Sequence, residues 1–225
     1  MQFIQAKDPS GGAAAVADRI ARTLRQGKKV LWFVCGGSNI PISVEILAVI
    51  RREVSKRSIS NLTVAQTDER YDHVGHPESN WQMLIDAGFN QANLSVLPIL
   101  TGKSVKDTVT DYSRKVEAAM MTSAGEGDLV IGQFGMGEDG HIAGIMPHSP
   151  AISDPGPISA YEAGPLVRIT VSPAMIERIP VAYAFVFGSP KKEAVRRLRE
   201  ENLSIQDQPA QVLKRLKEAY VYSDQ

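Results

Sequence analysis

Lys29-Val-Leu-Trp-Phe-Val-Cys35 runs directly into Gly36-Gly37-Ser38, and Pro41 then opens a stretch to Arg52 with apolar residues at Val44, Leu47 and Ile50. An unbroken apolar run of strand length predicts a strand covered on both faces, as in a parallel sheet. The helical spacing that follows puts the two glycines in a strand-to-helix turn. This β-turn-α unit sets the expectation for the rest of the chain.

Outward from it, the pattern repeats. Asp8-Pro9-Ser10 starts a helix that runs to Arg25 with apolar positions at Val16, Ile20 and Leu24, and Gly27 lies beyond its end. Strands are expected at Leu62–Thr67, Leu94–Leu97, Asp128–Gln133, Leu166–Val171 and Val181–Phe187, with a last edge strand at Tyr220–Tyr222. Helices are expected at Trp81–Ala87, Ser104–Ser123, Pro190–Glu200 and Pro209–Glu218, and Asp68 to Asn80 reads as a polar connection. Alternating strands and helices predict an α/β fold: a doubly wound, mostly parallel sheet with helices on both faces and the site at the carboxyl ends of the strands. Ser149 to Pro165 contains four prolines and two glycines, and is expected to be a mobile loop.

The 225 residues, 43% of them hydrophobic, are enough for one sizeable core, so a single domain over 1–225 is expected. Lys plus Arg and Asp plus Glu are both 25, which gives no basic excess to suggest nucleic acid or an anionic membrane. The longest apolar runs are far shorter than the roughly 20 residues of a membrane span. One cysteine, Cys35, leaves no internal disulfide, and the first residues do not read as a signal peptide, so the cytoplasm is the expected setting.

Gly135-Met-Gly-Glu-Asp-Gly140 is a literal G-x-G-x-x-G, but Pro147 and Pro150 interrupt the long helix that a dinucleotide fingerprint needs. Gly102-Lys103-Ser104 imitates the end of a P-loop, yet Leu97 stands where its first glycine belongs. The glycines around Asp139 and His141 instead form a flexible turn whose N–H groups can converge on an oxyanion. Asp139, two residues before His141, can accept from one imidazole nitrogen and leave the other free as a base. The residues alone leave catalysis and a solvated loop with a structural histidine both open.

There is no G-x-S-x-G elbow, and His73, His76, His141 and His148 follow no metal-ligand spacing, so neither metal nor cofactor is expected and water is the expected nucleophile. Gly36, Gly37 and Ser38 before a helix N-terminus suit a phosphate, with Arg168 and Lys191 as candidate cations at strand ends. Asp68, Glu69 and Arg70, with Ser79 and Asn80 closing the same loop, are expected to form a polar site wall.

In this order the segments resemble the 6-phosphogluconolactonase family, whose relatives include glucosamine-6-phosphate deaminase. Cys35-Gly-Gly-Ser-Asn-Ile-Pro41 is similar to the family's Ser-Gly-Gly-Ser-Thr-Pro turn. Asp68-Glu69-Arg70 with Ser79-Asn80 is similar to its Asp-Glu-Arg and Ser-Asn pair, and Gly135 to Pro147 to its G-x-G-x-D-G-H-T-A-S-L-F-P signature. Arg168 falls on the Arg of its Arg-Ile-Thr strand, Lys191 on the Lys of its late turn, and Pro209-Ala210 on a Pro-Ala near the end. The resemblance implies hydrolysis of 6-phosphogluconolactone, a step of the oxidative pentose phosphate pathway, by a monomer or small homo-oligomer. It implies His141 as the base, Asp139 as its orienting partner, and Ser38, Arg168 and Lys191 on the 6-phosphate. Arg70 is expected at the carbonyl or hydroxyls, and Gly36, Gly37, Asp68, Asn80 and Gly137 as further substrate contacts.

The chain departs from that text at Cys35, at Asn39-Ile40, which lengthens the phosphate turn by one residue, and at Ile142 with Gly144-Ile145-Met146. Ile142 is the residue of the deaminase text D-G-H-I-A-F-N-E-P, but Met146 stands where that enzyme has its catalytic Glu. Lactone hydrolysis is therefore expected first, with deamination and a non-catalytic sugar-phosphate-binding domain as alternatives.

Overall fold

The computed structural model describes all 225 residues. Ten strands are present: β1 (Gln2–Gln5), β2 (Val30–Val34), β3 (Leu62–Gln66), β4 (Asp68–Tyr71), β5 (Ser95–Leu97), β6 (Leu129–Phe134), β7 (Ile158–Ala163), β8 (Leu166–Val171), β9 (Val181–Val186) and β10 (Glu218–Ser223). Seven helices accompany them: α1 (Ser10–Arg25), α2 (Ile40–Glu53), α3 (Lys56–Ile59), α4 (Asn80–Asp86), α5 (Val105–Thr122), α6 (Pro173–Glu177) and α7 (Lys192–Glu200). No helix is long and apolar enough to cross a membrane.

The main sheet has the order β1-β10-β9-β6-β2-β3-β5, and every neighbouring pair in it is parallel. β2 is central and buried along its whole length, because its alternate side chains enter different cores. Val30, Trp32 and Val34 pack with α1 and α2, whereas Leu31 and Phe33 face the cluster that contains α5, α6 and α7. Strand order reverses at β2: β3 lies on one side and β6 on the other. Crevices at the carboxyl ends of open α/β sheets form where the order reverses. Here the segments leaving β2 and β6, Gly36–Ser38 and Gly135–His141, border such a crevice.

Helix boundaries follow local chemistry. The Ser104 hydroxyl accepts from Asp107 N at 3.2 Å to cap α5, and Ser79 accepts from Gln82 N at 3.1 Å to cap α4. In α1, Val16, Ile20 and Leu24 are all fully buried, as their spacing predicts.

Four expectations need correction. Asp68–Tyr71 is strand β4, and it pairs antiparallel with β8, which pairs antiparallel with β7 in a separate three-stranded sheet. Ser149–Pro165 is ordered structure: Pro150–Ser153 form a 3-10 turn and Ile158–Ala163 form β7, whose Ile158 and Tyr161 are buried. Prolines and glycines bound this strand without entering it, so local composition concealed it. Tyr220–Tyr222 belongs to β10, which is interior; β1 lies outside it at that edge of the sheet. Pro209–Arg215 is a 3-10 turn, and the chain is already strand at Glu218.

Candidate active site

A cleft of about 500 Å3 opens where β2 and β6 end. The residues expected to act together all line it: Gly36, Gly37 and Ser38 from the first turn, Gly137, Asp139 and His141 from the second. Asp68 and Arg70 reach it from β4, Asn80 from α4, Arg168 from β8, and Lys191 from the turn before α7.

The dyad is built by the turn after β6. His141 Nδ1 lies 2.7 Å from Asp139 Oδ1, and the same oxygen accepts the His141 backbone N–H at 3.1 Å. With Asp139 as acceptor, the proton sits on Nδ1 and Nε2 carries a lone pair. Burial acts to raise the Asp139 carboxyl, but the two hydrogen bonds from His141 outweigh it and hold the group below the usual carboxylate range. Gly137 N donates to His141 O and Gly140 N to Gly137 O, each at 3.0 Å, which ties the turn into a compact loop. A Cβ on Gly137 would run into the His141 ring, and Gly140 has φ +84. Both positions therefore need glycine.

On the opposite wall, Arg70 and Arg168 are direct cross-strand partners in the β4–β8 ladder. Like charges so placed repel, and the Nε–H of each is buried without an acceptor. Arg70 Nη1 is anchored to Glu78 O at 2.7 Å. The pair is a cationic wall whose unsatisfied donors suit an anion or a developing negative charge.

At the end of β2, Lys191 Nζ stands 3.5 Å from Ser38 Oγ, beside the 3-10 turn Gly37–Asn39 that leads into α2. Partial burial pulls the Lys191 ammonium below its ordinary pKa. The residue that lengthens this turn, Asn39, is 1% exposed; its Nδ2 donates to Phe185 O at 3.3 Å, and its carbonyl accepts from Ser43 and Gln133. The longer turn is thus pinned to β6 and β9, with Ser38 facing the cleft.

Asn80 is folded inward, its Nδ2 donating to Asp68 O at 3.2 Å and Asp68 Oδ2 at 3.1 Å. Its Oδ1 is buried, unpartnered and packed on Gly36, where a Cβ would collide with it. Burial pushes the Asp68 carboxyl up, against the lowering effect of the Thr67 hydroxyl.

The sequence marks Glu69 only as part of a charged wall, yet it is fully buried and organises that wall. Its Oε1 accepts from Arg70 N at 2.8 Å and Asn80 N at 2.7 Å. Its Oε2 accepts from Gln66 Nε2 at 2.9 Å, Ser79 Oγ at 2.8 Å and Trp81 N at 3.0 Å. A carboxylate at a helix N-terminus is favourable, but five donors converging on it could not be read from neighbouring letters. Met146 and Glu138 also line the cleft. Tyr161, from β7, braces Met146: its hydroxyl donates to Gly144 O and accepts from Met146 N. His73 and His76 lie outside the cleft lining, and no three His, Cys, Asp or Glu side chains gather closely enough to hold a metal ion.

Residues 9–222 match the family model described as glucosamine-6-phosphate isomerases/6-phosphogluconolactonase. A 6-phosphogluconolactonase from Synechocystis is 28% identical over 155 residues, 65% of this chain, and the match spans 63% of that relative's length. Among solved structures, a 6-phosphogluconolactonase from Thermotoga maritima superposes with a TM-score of 0.76 at 15% identity, covering 99% of this chain and 97% of its own. A monomeric glucosamine-6-phosphate deaminase superposes with a TM-score of 0.77 at 19% identity, covering 99% and 97%. At these identities the structural likeness establishes the fold, which lactonase and deaminase share.

Proposed function

The chain belongs to the glucosamine-6-phosphate isomerase/6-phosphogluconolactonase family, and from that premise we propose that it is an enzyme hydrolysing 6-phosphogluconolactone to 6-phosphogluconate. The observation that carries the reading is the 2.7 Å bond between Asp139 and His141 Nδ1 inside the cleft, which leaves His141 Nε2 without a protein partner.

His141 Nε2 takes a proton from water as the water oxygen bonds to the lactone carbonyl carbon, and the carbonyl oxygen becomes an oxyanion. Asp139 balances the imidazolium formed. The tetrahedral intermediate collapses by breaking the bond from that carbon to the ring oxygen, which leaves as the sugar C5 hydroxyl after receiving the proton from His141. Such a base contributes roughly 10²–10⁴-fold, a modest requirement for an activated ester. Arg70 faces the oxyanion or the ring hydroxyls. Ser38, Lys191 and Arg168 hold the phosphate, helped by the N-terminal amides of the turn into α2, and Gly36, Gly37, Asp68, Asn80 and Gly137 shape the sugar site.

Met146 supports lactone hydrolysis over deamination. Its thioether lines the cleft where the deaminase text has an acid, and a thioether cannot carry the proton that amine chemistry needs.

The test follows proton release from 6-phosphogluconolactone. The wild type accelerates hydrolysis, and His141→Ala loses at least ~100-fold in kcat. An unchanged His141→Ala rate refutes the mechanism; ammonia release from glucosamine 6-phosphate would replace the reaction.

A further inference from the structure

Gln208 does not line the cleft, yet it lies between the turn that carries His141 and the helix that follows Lys191. It is 1% exposed. On one side its side chain packs against Gly140, where any Cβ would overlap it, and two residues later Ala210 N donates to Gly140 O at 3.0 Å. On the other side its Nε2 donates to Ala194 O at 2.8 Å, in the first turn of α7 and three residues after Lys191. Its Oε1 accepts from Gln211 Nε2 at 2.8 Å, which also reaches Glu201 O at 3.1 Å at the far end of α7. His148 N, just beyond the dyad turn, donates to Gln206 O at 2.9 Å. Residues 206–211 are therefore a strap joining two segments that are distant in sequence, and Gln208 is the side chain that touches both.

We propose that Gln208 is a positioning residue that couples the grip of Lys191 on the substrate phosphate to the placement of His141. The inference rests on the functional reading above. Phosphate binding draws Lys191 and the start of α7 toward Ser38. The buried amide transmits that displacement to Gly140, and so to the ring one residue on. Binding energy from a part of the substrate that does not react then raises the rate at the part that does. Gly140, with φ +84, is the point where the strap meets the turn, because its carbonyl accepts from Ala210 N and its Cα packs on the Gln208 side chain.

The test compares 6-phosphogluconolactone with the unphosphorylated gluconolactone in the full-length protein. Gln208→Met keeps volume and removes the donor and acceptor. It is expected to lower kcat on the phosphorylated lactone by about tenfold, at least about fivefold more than on the unphosphorylated one, with KM changed little. Combined with Lys191→Met it should lower kcat no further than Lys191→Met alone, since coupled side chains are not additive. Equal losses on both lactones, or additive losses in the double variant, overturn the coupling and leave Gln208 a packing residue. Gln208→Glu retains the shape against Gly140 and sets a carboxylate against Ala194 O; it is read by the same ratio should the Met variant fail to fold. A readout that needs no turnover separates this from failure of the lactonase assignment. Inorganic phosphate should move the His141 Cε1–H resonance in the wild type and move it less than half as far in Gln208→Met or Gln208→Glu. An equal movement overturns the proposal even if no lactone is hydrolysed.

Discussion

Glu69→Gln is the substitution whose cost the structure allows to be worked out. Both carboxylate oxygens are saturated by donors, two on Oε1 and three on Oε2. Glutamine must place its amide nitrogen at one of them. At the Oε1 site it faces the N–H groups of Arg70 and Asn80; at the Oε2 site it faces Gln66, Ser79 and Trp81. Only the Ser79 hydroxyl can rotate away. Gln66 cannot flip its amide, because its Oε1 already accepts from Ile99 N at 2.8 Å. The cheaper arrangement strands two buried donors at about 1–3 kcal/mol each, for a loss of about 2–6 kcal/mol. In a domain of this size 1 kcal/mol moves Tm by about 2–4 °C, so a fall on the order of 10 °C is expected. Chemical denaturation gives the free energy and differential scanning calorimetry the Tm. Because Arg70 and Asn80 hang from the same carboxylate, kcat/KM should fall as well at temperatures where the variant is folded. A loss below ~1 kcal/mol would refute the reasoning, since it would mean that the five donors find other acceptors.

Asp139→Asn can keep its amide oxygen on both His141 donors but loses the negative charge that balances the imidazolium; about 10²-fold or more should be lost in kcat, and a change below threefold would separate Asp139 from the chemistry. Because the Asp139 carboxyl lies below its ordinary pKa when folded, its stabilising contribution is complete above the unfolded carboxylate range and is lost as pH falls through the depressed value. Denaturation midpoints of wild type and Asp139→Asn should therefore converge below about pH 4, and midpoints that converge only at alkaline pH would contradict this sign. Gly137→Ala pushes the His141 ring aside and should cost roughly 100-fold in rate, with a Tm close to wild type; an unchanged rate would mean that the turn relaxes freely.

Much of this molecule is carried by local pattern. A run such as Val30–Cys35 has only one economical environment, between two apolar layers, so the strand, its cover on both faces and the glycine turn after it can be read directly. The pairing inside the turn around His141 is equally local: Asp139 meets the imidazole of His141 two residues away, and Gly137 and Gly140 leave the room. The longer turn after β2 is visible as an extra residue, but the way it is held is not, because Asn39 is accommodated by Phe185 O and Gln133, far along the chain.

Tertiary structure decided what depends on register and on partners remote in sequence. Nothing near Arg70 says that Arg168 will stand directly opposite it; that follows from the pairing of β4 with β8, and a shift of one residue would turn one of the two away. Glu69 reads as one charge of a polar wall until α4 and its cap Ser79 bring three donors to it, and Gln208 carries no motif at all. Local propensity sets which segments form strands and turns, whereas buried polar groups take their partners from whichever segments the packed chain delivers, and only the folded chain names them.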